Sequence, residues 1–150
     1  MSVLLTFAFA LQLIVGGYMY SFVLAAGQRS SNARATRIPD LVAFAHPIAA
    51  LVTFSVWIAY VTSDRVGFAW ASFAAVLVTA SGGAVMGVAT LRGSRYVDRP
   101  EPHRGVLDPG DPSEVRVAEK QIPLVSIALH GGTFLLLAVG TFLVALGVLD

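Results

Sequence analysis

The sequence predicts an all-α integral membrane protein: a four-helix bundle, N-out/C-out, with a long cytoplasmic loop between helices 3 and 4. Three observations carry that fold class. The hydrophobic residues, 56% of the 150, fall into four long blocks, each near the roughly 20 residues a helix needs to cross a bilayer. Only 13% of the residues are charged, and no Asp, Glu, Lys or Arg lies inside a block. The blocks also fail to alternate apolar with polar residues, as the strands of a membrane β-barrel would. The whole chain is read as a single transmembrane domain.

The first block, Val3–Ala26, carries Gln12 near its middle, then Gly16, Gly17, Tyr18 and Tyr20. It lacks a basic leading segment and is longer than a signal-peptide core, so it is read as a retained span. The second, Leu41–Val61, contains His46-Pro47 near its start. The residue before a proline is pushed away from helical geometry, so regular helix is expected to begin at Pro47 or to kink there. Trp57 and Tyr60 close this block and Trp70 opens the next, a pattern expected of an aromatic belt at the membrane interface. The third block, Phe68–Leu91, holds Ser81, Gly82, Gly83 and Gly87, with Gly83 and Gly87 spaced for close helix packing. The fourth, Ile122–Leu149, contains His130, Gly131 and Gly132.

Residues 92–121 form the one sizeable polar segment. Its first half, Asp98 to His103, is proline-rich and reads as extended, with His103 solvated. In its second half Asp111 suits an N-cap, Pro112 the first helical position and Glu114 the first turn. A short helix is therefore predicted from Pro112 to Gln121, separated from the fourth span by Pro123.

Charge sets the expected orientation. Arg29, Arg34 and Arg37 lie between the first two blocks; Arg92, Arg95, Arg99, Arg104, Arg116 and Lys120 lie between the last two. These are nine of the ten basic residues, and the remaining one, Arg65, lies in the short Ser63–Gly67 loop. The positive-inside rule then places the first and third loops in the cytoplasm and both termini outside, in a membrane read as the bacterial cytoplasmic membrane. Topology accounts for the arginines, so nucleic acid is not expected as a partner. The expected surroundings are the lipid bilayer and a larger membrane complex or homo-oligomer. The chain has no cysteine, which excludes disulfides, thiolate metal sites and iron–sulfur clusters held by this chain.

The ionisable residues inside the spans are His46 and His130, and an intramembrane ionisable group is a functional hypothesis by default. Counted inward from the cytoplasmic helix ends at about 1.5 Å per residue, both fall near one depth. Gly16, Gly17, Gly82 and Gly83 reach the same layer, and Gly131 follows His130 directly. A flat macrocycle inside a four-helix bundle needs axial imidazoles from two helices and missing side chains where it lies. His46 and His130 are therefore the expected metal ligands of a haem b. Arg37, Arg92 and Arg95 would face its propionates, with Tyr18, Tyr20 and Tyr96 as phenolic donors. The layout is analogous to compact b-type membrane cytochromes, a likeness of architecture without a shared motif. A quinone, hydrogen-bonded by a histidine near the rim, is a companion expectation.

The bundle is accordingly read as relaying electrons in or beside a respiratory complex, rather than as a stand-alone enzyme. One alternative is a non-catalytic accessory subunit whose histidines are structural, since polar groups in lipid often only join helices. Another is a small transporter or channel, disfavoured by the lack of membrane carboxylates. Zinc is disfavoured because two imidazoles are half of a tetrahedral shell. Copper would need Met19 or Met86 as a further ligand.

Overall fold

A computed structural model describes residues 1–27, 38–97 and 122–149. They form four α-helices: α1 (Ser2–Gly27), α2 (Asp40–Ser63), α3 (Val66–Val97) and α4 (Leu124–Ala145). All four are long and apolar enough to cross a membrane. The predicted helix from Pro112 to Gln121 lies outside the described residues, as do Arg37 and His103.

The helix ends follow local chemistry. Pro39 precedes α2 and Pro123 precedes α4, both with extended backbone, and their carbonyls accept the first helical N–H groups. Proline suits these positions because its fixed φ and missing N–H cost nothing before the first turn. The α2–α3 turn is tighter than expected, with only Asp64 and Arg65 between the helices. Asp64 takes a left-handed conformation at φ 54° and its N–H closes on the Tyr60 carbonyl at 2.8 Å. Aspartate is one of the few side chains that tolerate this region. At the far end, α4 stops at Ala145, short of the expected Leu149. Gly147 (φ 68°) donates to Val144 and Val148 donates to Leu143, each at 2.9 Å. That pair of bonds is a Schellman motif, which satisfies the last carbonyls and ends the helix.

Two helices differ from expectation within their length. His46 and Pro47 are the seventh and eighth residues of α2, so of the two expectations the one that regular helix begins at Pro47 does not hold. Pro47 has no N–H for the Ala43 carbonyl one turn earlier. Helix α3 continues past its apolar span, which ends at Thr90, to Val97. Its 32 residues reach about 48 Å, well beyond the roughly 30 Å hydrocarbon core. Arg92 and Arg95 thus have helical backbone, and their side chains lie outside the description.

The helices pack in a ring, α1 against α2, α2 against α3, α3 against α4 and α4 against α1, and the backbones of diagonal helices do not approach closely among the described residues. The exterior is apolar: Leu41, Leu124 and Val125 are about four-fifths exposed and Phe7, Ile14 and Val3 about 70%. Such a surface suits lipid and would be unstable in water.

The interior has two apolar clusters. The larger joins Leu5, Ala8 and Phe9 of α1 with Trp57 of α2, Ala69 and Val76 of α3, and Leu137, Val144 and Ala145 of α4. Here the expectation for Trp57 is corrected. It is completely buried in the bundle, not anchored at a lipid interface, and its indole N–H donates to Thr6 Oγ1 at 2.9 Å. The wide indole fills space that small neighbours such as Ala8 and Ala69 leave open. Trp70 does lie on the outside, 43% exposed, with Phe73 and Phe142 beside it. Close approach of α1 and α4 depends on Gly140, where a Cβ would collide with the Leu5 side chain. The smaller cluster, Val23, Ile38 and Ala43, lies at the opposite end with Tyr20 and Met86 packed on it. Between the two clusters the bundle is polar.

Candidate metal-binding site

That polar layer is built from two half-sites. In the first, His46 of α2 turns towards α3, and its Nδ1 lies 3.0 Å from the Thr79 carbonyl. A carbonyl can only accept, so Nδ1 carries the proton and Nε2 keeps the lone pair. Gly82 and Gly83 admit the ring. A Cβ at Gly82 would stand 3.1 Å from Nδ1, and one at Gly83 3.3 Å from Cε1. Thr79 is held in turn through Thr53. The Thr53 hydroxyl donates to the Ala49 carbonyl at 2.7 Å, so the Thr79 hydroxyl donates to Thr53 at 2.9 Å. Hydrogen bonds therefore bind α2 to α3 at two adjacent levels.

The second half-site joins α4 to α1. The Gln12 amide nitrogen lies 3.2 Å from His130 Nε2, and the ring rests on Gly16, where a Cβ would be 3.1 Å from Cε1 and 3.7 Å from Nδ1. Gln12 and Gly16 are one helical turn apart, so a single face of α1 supplies both the hydrogen bond and the seat. Two atoms remain without a partner among the described residues although both are buried: His130 Nδ1 and Gln12 Oε1. Buried polar atoms are nearly always satisfied, so an orphaned pair marks a place where something else belongs.

The half-sites meet across the bundle. The His46 and His130 rings, on diagonally opposed helices, have centroids 6.5 Å apart with planes inclined at 68°. No group of three or more His, Cys, Asp or Glu that could hold a metal occurs among the described residues. The pair thus offers any metal no more than two imidazole nitrogens among the described residues.

Of the residues selected from the sequence, the structure brings together His46, His130, Gly16, Gly82 and Gly83. The glycines receive the imidazole rings themselves. Gly17 and Gly131 have open space where a Cβ would be. Tyr18 is half-exposed, edge-on to Phe22, and Met86 belongs to the smaller apolar cluster. Two partners were missed. Gln12 stands out in the sequence as a lone amide in an apolar span, but its contact with His130 depends on helix rotation. The Thr79 contact is made by backbone, which no side-chain pattern reports. No protein-family model, curated protein or solved structure matches the chain.

Proposed function

We propose that this chain is a small membrane protein that binds haem b through His46 and His130 and relays electrons in or beside a respiratory membrane complex. The observation that carries the reading is the 6.5 Å separation of two imidazoles supplied by diagonal helices. One metal held between two imidazoles sets their centroids about 6.3 Å apart, given metal–nitrogen bonds of about 2.0 Å and about 1.15 Å from nitrogen to ring centre.

The chemistry of the donors agrees. Neutral imidazole is the ligand form that haem iron takes, and His46 places its Nδ1–H on the Thr79 carbonyl, the kind of acceptor that orients a metal-bound histidine. With two imidazoles and no carboxylate beside them among the described residues, a macrocycle would fill a metal's remaining positions. When bound, the haem supplies one-electron redox chemistry, while the bundle supplies orientation, burial and ligand tuning.

Arg37, Arg92 and Arg95 serve this reading as cationic partners for the propionates, on the side where positive charge accumulates. That side is the cytoplasmic one, and both termini face outward across a bacterial cytoplasmic membrane. A membrane quinone is the class of electron partner that suits this location. Purified from haem-replete cells, the protein should be red, with b-type α and β bands on reduction. His46→Ala and His130→Ala should each abolish or severely deplete those bands. A colourless wild-type preparation would overturn the reading.

A further inference from the structure

The two imidazoles offer their lone pairs on unequal terms. His46 donates from Nδ1 to the Thr79 carbonyl, and its Nε2 has no hydrogen-bond partner among the described residues. At His130 it is Nε2 that is engaged, 3.2 Å from the Gln12 amide nitrogen. An amide nitrogen can only donate, so His130 Nε2 accepts and its lone pair is occupied by that bond. The ring proton then sits on Nδ1, which is buried without a partner among the described residues where the ring rests on Gly16. Nε2 is therefore the nitrogen that each histidine can offer a metal, open at His46 and covered at His130. Resting on the haem reading above, we propose that Gln12 is a cap on the second ligand: it holds His130 Nε2 in the haem-free protein and must let go before that nitrogen can bind iron. His46 is then the ligand available from the start, and His130 the one uncovered afterwards.

The cap is weakly held. A contact of 3.2 Å lies at the long end of the range for an N–H donor. Keeping it closed leaves Gln12 Oε1 and His130 Nδ1 buried and unsatisfied, so one hydrogen bond is made while two polar atoms have none. A lone pair serves a hydrogen bond or a metal but not both, so ligation at this nitrogen replaces the cap outright. Glutamine reaches the ring through rotatable side-chain bonds and can leave it by the same route, with α1 itself unmoved.

The consequence is selectivity between cofactors. While the cap is closed the chain offers a bare metal ion one imidazole, too few ligands to hold it. The same single imidazole suffices for a metal whose other positions a macrocycle fills.

The test is a haem titration of the full-length, haem-free protein in micelles, followed by absorbance, for wild type, Gln12→Leu and Gln12→Met. Neither substitute can donate a hydrogen bond. Each should bind haem about three- to tenfold more tightly than wild type, the factor for one hydrogen bond between membrane helices. A residue that merely supported the site would instead lower the affinity when removed. A gain in either variant carries the proposal, and equal or lower affinity in both overturns the cap while leaving the haem reading intact. A wild type that binds no haem overturns that reading and this inference with it. Nitrogen-15 spectra of the haem-free wild type, labelled at histidine, need no variant to fold. They should show Nδ1 protonated on both rings, and Nε2 of His130, unlike that of His46, shifted as a hydrogen-bonded acceptor. A proton on His130 Nε2, or two Nε2 resonances alike, would contradict the assignment.

Discussion

At the scale of single residues, the bundle distinguishes side chains that hold it together from those that hold the site. Trp57 and Thr6 belong to the first group. Their hydrogen bond joins α1 to α2 at the edge of the larger apolar cluster, with Trp57 fully buried and Thr6 partly so. Thr6→Val keeps the shape of the side chain but leaves the indole N–H without an acceptor. It should destabilise the protein by about 1 kcal/mol, in the range found for hydrogen bonds between membrane helices, as read by unfolding in mixed micelles. Gly140→Ala acts through shape instead. The added methyl meets Leu5, itself 1% exposed and so without room to retreat. An overpacked core of this kind costs about 1–3 kcal/mol. Neither change touches the imidazoles, so the α band should survive in any fraction that folds.

At the scale of elements, the glycines divide into those that receive an imidazole and those that face open space. Gly16 and Gly82 are in the first class, Gly17 and Gly131 in the second. Alanine at residue 16 or 82 should displace a ring and reduce haem retention, whereas alanine at residue 17 or 131 should leave the α band unchanged. Equal loss in all four variants would show that the glycines serve the helices and not the rings. Much of the helical pattern was legible beforehand, because four blocks of apolar residues without formal charge have one economical fold in lipid. The ends were less so. Helix α3 runs on to Val97 through Arg92 and Arg95, which favour helix, and past Gly93, which does not, while α4 stops early where Gly147 reverses the chain. Trp57 misled for a reason of the same kind. Its nearness to the chain's short loop resembles an interface anchor, and only helix rotation shows that its indole points inward.

At the scale of the whole molecule, the apolar exterior and polar central layer describe a protein turned towards lipid. Both histidines were legible as an intramembrane pair, but their partners were not. One is a backbone carbonyl, and the other is an amide whose face on α1 depends on how the helices rotate. Charge distribution predicts the orientation of the bundle, and the absence of cysteine makes that prediction simple to check. A single cysteine at Ser63, beside the α2–α3 turn, should react with a membrane-impermeant maleimide in intact cells. One at Ser30, between the first two spans, should react only after the membrane is opened. The reverse pattern would put the arginine-rich loops outside and contradict the assignment.

The ring order of the helices also sets a timetable. Helices α2 and α3 are neighbours in sequence and in space, so the half-site of His46 and Thr79 can close as soon as that hairpin is made. Helix α1 is synthesised before α4, so Gln12 must wait for His130. The layer is therefore completed only once α4 has followed the other three described helices and met α1. A chain interrupted before Leu124 could insert three helices and still offer a cofactor only half of its seat.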